Sequence, residues 1–423
     1  MNSPTKPPLA QIFETSSEMR ARAHALIPGG AHTYAKGDDQ YPVLAPGFLK
    51  RGQGCHVWDV DGNEFIEYGM GLRAVTLGHA YAPVVEAAHR QMLLGENYTR
   101  PAAIELECAE QFLSLIEDFD MVKFGKNGSD ATTAAVRLAR AYTGRDLVAR
   151  CADQPFFSTD DWFIGDTAMS AGIPRAIQEL TLQFRYNNID SLRKLFEQNP
   201  GRIACVVLEA ATATEPEADF LRQLQELCRS KGAVFILDEM ITGFRWHNAG
   251  AKKVYGISPD LSTFGKGMGN GFSVSALAGR REIMELGGLQ HDRERVFLLS
   301  TTHGAETHSL AAAIETMQIY RRDNVIEFLH RQGERLRAGV NRAIDSLGLK
   351  GSFEVLGRPS NMVYATRDQS QQPSQAFRAL FLQETIRRGL IMPSLVVSFS
   401  HSDADIDRTI EAIGEALQVY RRA

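Results

Sequence analysis

The chain has only five cysteines, Cys55, Cys108, Cys151, Cys205 and Cys228, and no two of them form a C-x-x-C pair. An odd number at such wide spacing argues against a disulfide framework and a paired-cysteine zinc site, and it reads as a set of buried thiols. No stretch approaches the ~18 consecutive apolar residues of a membrane span. The opening residues Met1 to Pro8 lack the apolar core of a signal peptide, so the expected location is the cytoplasm. An excess of one charge is missing too: 46 Lys and Arg stand against 51 Asp and Glu, a formal charge of −5, and the basic residues are dispersed. That pattern offers no surface for nucleic acid or anionic membrane and leaves small molecules as the expected partners. Internal repeats and low-complexity tracts are also lacking.

What the chain does have is length and apolar content. With 423 residues and 44% hydrophobic composition, it can bury two cores. Residues 103–118 and 130–143 repeat apolar positions at helical spacing, while 203–209, 233–238 and 272–279 are short runs typical of buried strands. Strands alternating with helices predict a mostly parallel sheet covered on both faces, with ligands at the carboxyl ends of its strands. Beyond about residue 325 the pattern becomes amphipathic helix, at 323–346, 376–389 and 403–421, broken by a polar loop at 368–374. An opening helix near 11–26 and a hairpin over 57–68, turning at Asp61-Gly62-Asn63, are expected to join these helices. The resulting division is an N-terminal segment 1–60 packing with a small domain 326–423, and a large domain 61–325.

Two residues carry most of the chemistry. Asp238 ends the apolar run 233–237, and Lys266 follows twenty-eight residues later in Ser262-Thr263-Phe264-Gly265-Lys266-Gly267-Met268-Gly269-Asn270-Gly271. An acid at a strand end ordinarily caps the next helix, and Gly-flanked lysines are common. The glycines do not form a nucleotide loop: a P-loop requires Gly and a hydroxyl residue where this chain has Asp260 and Gly267. The dinucleotide pattern fails as well, because Asn270 and Phe272 occupy the places of its third Gly. Taken together, the pair suits pyridoxal phosphate (PLP): a lysine amine condenses with the cofactor aldehyde, and a carboxylate keeps the pyridine nitrogen protonated. Asn127-Gly128-Ser129-Asp130, directly before a predicted helix, supplies backbone N–H groups for a phosphate or, more plainly, a helix cap. Gln154 to Phe163 is an aromatic-rich loop, one ring of which could lie on the pyridine while the others pack in the core.

These motifs resemble the class III, fold type I PLP-dependent aminotransferases, and among them the glutamate-1-semialdehyde aminomutase branch. The likeness runs through Ile27-Pro28-Gly29-Gly30, Gly54 to Gly62, Leu77-Gly78-His79-Ala80, Asn127 to Ala131, Arg137 to Arg140, Asp238 to Arg245, Pro259-Asp260-Leu261 and Gly265-Lys266. The resemblance implies a large domain with a mostly parallel sheet covered by helices, plus a smaller α+β domain. It implies Lys266 as the Schiff-base lysine, Asp238 as the partner of the ring nitrogen, and Asn127, Gly128 and Ser129 around the phosphate. Phe156 falls where relatives have a stacking tyrosine, and Glu209 and Thr242 are placed near the cofactor. Ser300-Thr301, with Thr302 as second candidate, stands where relatives reach the phosphate of a neighbouring subunit, which implies a homodimer with shared active sites.

Two departures bear on the substrate. Aminomutases of this branch hold a substrate carboxylate with an arginine soon after Pro-Gly-Gly, whereas residues 31–50 here contain none; Lys36 is the nearest substitute, as a point charge. The Pro-Ser-x-Phe-Glu pattern is replaced by Pro393-Ser394-Leu395-Val396-Val397, which has no acid. Losing a bidentate guanidinium weakens carboxylate binding by roughly 1.5–3 kcal/mol, or ~10- to 100-fold. The expected activity is therefore amino transfer from an amino acid donor, glutamate, to a carbonyl of a polar and sugar-like acceptor, with His32, Tyr34 and His303 as candidate substrate contacts. Intramolecular exchange of the aminomutase kind is the alternative, and no metal is expected.

Overall fold

In the computed structural model, residues 13–423 are described, and they form two compact units: 82–326, and 13–81 together with 327–423. The larger unit is built on seven strands, β1 (Met121–Gly125), β2 (Leu147–Cys151), β3 (Thr181–Phe184), β4 (Ile203–Glu209), β5 (Val234–Asp238), β6 (Leu261–Phe264) and β7 (Ser275–Gly279). They lie side by side in the order β1-β7-β6-β5-β4-β2-β3. The five strands from β6 to β3 are parallel, and β7 runs antiparallel to both of its neighbours. The run at 272–279 is thus a strand, shortened to 275–279, and it is the one that reverses direction.

The continuous apolar runs follow from burial on both faces. Along β4, Val207 points into one core while Val206 and Leu208 point into the other; along β5, Ile236 opposes Phe235 and Leu237 in the same way. The first core receives helix α1 (Gly128–Thr143), whose Ala131, Ala134, Ala135, Leu138 and Ala139 form one stripe of small side chains at three- and four-residue spacing. The second receives Leu221, Leu224 and Cys228 from the helix Phe220–Lys231. All five cysteines are buried and free. No helix of the described residues is long and apolar enough to cross a membrane.

The smaller unit has its own sheet, in which Leu49–Gln53, His56–Asp59 and Glu64–Glu67 form an antiparallel meander and Leu390–Ile391 adds in parallel to the last of them. Its turn is fixed by the Asp59 carboxylate, which accepts the N–H groups of Asp61 and Asn63 and the Asn63 side-chain amide. Asp61 in turn accepts the Thr15 and Ser16 N–H groups at the start of the helix Glu14–Leu26. These pairings carry the unit on to residue 81, past the boundary expected at 60, because Glu64–Glu67 belongs to this sheet. Phe353, Tyr364, Phe381 and Tyr420 pack ring against ring at 4.7–5.7 Å to tie the terminal helices to the short hairpin Phe353–Leu356 with Val363–Thr366. Of the opening helix expected at 11–26, residues 11 and 12 lie outside the described residues.

Helix Val325–Leu347 contains Gly333 where a Cβ would lie 1.9 Å from the Pro359 carbonyl oxygen, a backbone atom that cannot swing away. Gly333→Ala is expected to lower stability by roughly 1–3 kcal/mol although alanine is the better helix former, and thermal unfolding of the variant checks the sign.

Candidate active site

Three adjacent parallel strands end in a row of polar residues. Glu209 of β4 stands opposite Asp238 of β5, which stands opposite Thr263 of β6, and all three are buried. This is the carboxyl edge of the sheet, where strand ends leave side chains without further ladder partners. Asp238 Oδ1 accepts the Met240 N–H at 2.8 Å and the Thr263 hydroxyl at 3.2 Å. Burial pushes the Asp238 carboxyl above the usual range, and the charge of Lys266 is the largest influence drawing it back down. The two predicted catalytic residues therefore act on one another electrostatically inside the protein.

Lys266 follows β6 after the extended Gly265 and takes a positive φ of 43°, a region uncommon for residues with a side chain. Backbone strain of that kind persists only where surrounding contacts enforce it. Met240 lies close by: a Cβ on Gly265 would lie 2.8 Å from its sulfur, and one on Gly128 would lie 3.1 Å from the same atom. Met240 thus bears on the lysine loop and on the start of α1 while its N–H binds Asp238.

At the start of α1, Asp130 Oδ2 accepts the N–H groups of Lys126 and Asn127, so the cap is made from within the helix. Gly128 and Ser129 open the first turn, whose N–H groups have no acceptor inside the helix and point outward. The Ser129 hydroxyl accepts the Thr159 N–H at 2.9 Å and keeps its own proton to donate. Thr132 and Thr133 bind the aromatic loop to α1: Thr132 Oγ1 donates to the Phe157 carbonyl, and Trp162 Nε1 donates to Thr133 Oγ1. In that loop Phe157, Trp162 and Phe163 are buried, whereas Phe156 is 51% exposed and meets Phe163 edge-on at 5.6 Å.

The remaining candidates are distributed differently. Gln154 brackets the Glu209 backbone, accepting its N–H and donating to its carbonyl. Thr242 is buried and its hydroxyl donates to Glu239. Thr301, Thr302 and His303 are exposed in a loop where the Thr302 carbonyl accepts the Asn97 side-chain amide. His32, Tyr34 and Lys36 belong to the smaller unit and are exposed, Tyr34 by 70%. Sequence reasoning missed Met240, Thr263, Gln154 and Glu239. Thr263 was within reach, since it sits at the end of a strand three residues before Lys266; the others depend on loop geometry.

These residues fit PLP. A buried acid whose charged form a nearby lysine favours suits the two ends of a protonated pyridine aldehyde, and a helix start with an approachable Gly and a hydroxyl suits a phosphate. Asp238, Lys266, Gly128 and Ser129 would hold it. Phe157 is buried and Phe156 half exposed, so Phe157→Ala is expected to cost roughly 3–5 kcal/mol of stability, and Phe156→Ala well under 1 kcal/mol while, if its ring lies on the cofactor as the resemblance implies, weakening PLP retention. Denaturant unfolding and cofactor titration of both variants check this, and equal stability losses would place Phe156 in the core.

The aminotransferase class-III family model matches residues 34–417. A relative from Acetivibrio thermocellus named glutamate-1-semialdehyde 2,1-aminomutase is 32% identical over 416 residues, covering 93% of this chain and 95% of its own, and further curated relatives at 30–33% identity carry the same name. Among solved structures, the FumI protein of Sphingopyxis sp. MTA144 in a PLP form superposes with a TM-score of 0.87 at 28% identity, covering 96% of each chain. An omega-transaminase from Sphaerobacter thermophilus gives 0.86 at 26% identity over 96% of this chain and 98% of that one. The curated names agree with the alternative activity rather than with the first expectation. From the strand-end acid and lysine through the matched family model, the chain belongs to the class-III aminotransferases, PLP-dependent enzymes of fold type I.

Proposed function

We propose that Lys266 carries the PLP aldehyde, that Asp238 faces the ring nitrogen, and that the enzyme moves an amino group from glutamate to a carbonyl of a polar, sugar-like acceptor. The observation that carries the site is the buried Asp238 at the carboxyl end of β5, held by the Met240 N–H and the Thr263 hydroxyl, with Lys266 following the neighbouring strand β6. Once bound, PLP supplies an electron sink for charge that develops on a substrate carbon. Asp238, held by the Met240 N–H and the Thr263 hydroxyl, favours a proton on the ring nitrogen. Lys266 Nζ, once free, would be the base that takes the proton from the amine-bearing carbon of the donor. The Gly128 and Ser129 amides, with Asn127 ahead of them, would hold the phosphate, and Glu209, on the strand beside Asp238, would lie near the ring. Thr301 or Thr302, exposed on this chain, would complete the site of a second copy in a homodimer.

A second reading, intramolecular exchange by an aminomutase, is favoured by the names of the curated relatives. Those names are the strongest support the comparisons lend to either activity. The substrate-binding residues favour transfer instead, and they decide specificity within a shared fold. No arginine occurs from 31 to 50, and Leu395, Val396 and Val397, in place of the pattern that ends in an acid, are fully buried apolar residues. The omega-transaminase likeness at 26% identity points the same way.

Glutamate added alone to the PLP-loaded enzyme is expected to convert the cofactor to its amine form and release one equivalent of 2-oxoglutarate. If no amino acid does so, while glutamate-1-semialdehyde turns over without an added donor, the exchange reading replaces transfer. Asp238→Asn is expected to keep the cofactor and slow the half-reaction about tenfold or more, from the ~1.5–3 kcal/mol of a charged hydrogen bond. A half-reaction at the wild-type rate removes Asp238 from its role.

A further inference from the structure

Glu239, next to Asp238, is fully buried and has no place in the chemistry described so far. Its carboxylate accepts the N–H groups of Ala251 and Lys252 at 2.7 and 2.8 Å and the hydroxyl of Thr242. Gly250 is required there, because a Cβ at that residue would lie 2.3 Å from the carboxylate. The Glu239 backbone is tied as firmly: its N–H donates to the Thr263 carbonyl, and its carbonyl accepts the Gly243 N–H, each at 2.9 Å. Thr263 is the residue whose hydroxyl binds Asp238, and Met240, whose N–H binds the same oxygen, follows Glu239 directly. Both donors to Asp238 are therefore attached to the segment that Glu239 anchors.

We infer that Glu239 is a positioning residue: it locks the turn 239–252 so that Met240 N–H and Thr263 Oγ1 stay aimed at Asp238, and through Asp238 it sets the protonation of the bound ring. This rests on the assignment of Asp238 to the ring nitrogen. Burial raises the Glu239 acid to about 7, opposed by the Thr242 hydroxyl, the two amides and the charge of Lys252. Lys252 is the cation that acts on it, itself held by the Glu117 carbonyl and the Asp118 carboxylate. Asp238 is the acid beside it in sequence. As pH rises through neutrality Glu239 gains charge beside Asp238, which favours a cationic ring. The stability sign is opposite: because the folded pKa is raised, the protonated form stabilises the fold, and that contribution fades as pH climbs from the ordinary carboxylate range toward 7.

The test compares wild type, Glu239→Gln, Glu239→Asp and Thr242→Val as PLP-loaded proteins, by PLP dissociation constant, pH titration of the visible cofactor band and thermal midpoint. Glu239→Gln is expected to bind PLP about tenfold more weakly, with a shifted band titration. Thr242→Val should shift both in the same direction by less, and Glu239→Asp, which keeps the charge, should recover the band titration toward wild type. A folded Glu239→Gln with unchanged affinity and titration overturns the inference, as does a fall in thermal midpoint with neither moved. Should Glu239→Gln not fold, Thr242→Val decides on the same two readouts. A visible band that survives Lys266→Ala would instead overturn the cofactor assignment.

Discussion

A carboxylate buried at the end of a central strand is unfavourable unless charge or hydrogen bonds compensate it, and Asp238 has both. Lys266 supplies the charge, and Met240 and Thr263 supply the donors. The sheet makes this possible by setting Glu209, Asp238 and Thr263 in register on three parallel strands, so that one loop from β5 and one from β6 converge on the same carboxylate. Removing either loop's geometry would leave the acid buried without compensation, and at Gly250 and Gly265 a Cβ would lie within 3.0 Å of the Glu239 carboxylate and the Met240 sulfur, respectively.

The same constraint separates the proposed cofactor chemistry from substrate choice. The residues proposed to hold the cofactor sit on strand ends and a helix start. The candidate substrate residues are exposed outside the sheet, His32 and His303 on loops and Tyr34 at the start of a short 3-10 helix, where sequence can change without disturbing the sheet. A full-length likeness to enzymes named aminomutase and a likeness to an omega-transaminase can therefore hold for one fold, with the activity decided by a few loop positions.

Much of the fold was legible because burial imposes simple periods. Fully apolar runs such as Ile203–Leu208 marked strands covered on both faces, and the alanine stripe of 131–139 marked a helix packed close to a sheet. The reversed direction of 275–279 was not legible, since a strand's apolar pattern is the same read either way. At the site, Asp238 and Lys266 were visible because each lies at a strand end with a distinctive neighbourhood. Phe156 was set apart from Phe157 only by the family resemblance, as adjacent aromatic residues in a loop have no period to assign their faces. Met240, Gln154 and Glu239 were hidden because their roles arise from a loop that folds back after β5, and Thr242, expected near the cofactor, gives its hydroxyl to Glu239.

The central claim is a covalent one, and borohydride reduction of the PLP-loaded protein followed by peptide mass spectrometry tests it most directly. The account predicts a single phosphopyridoxyl group on the peptide containing Lys266. Attachment at any other lysine would contradict it.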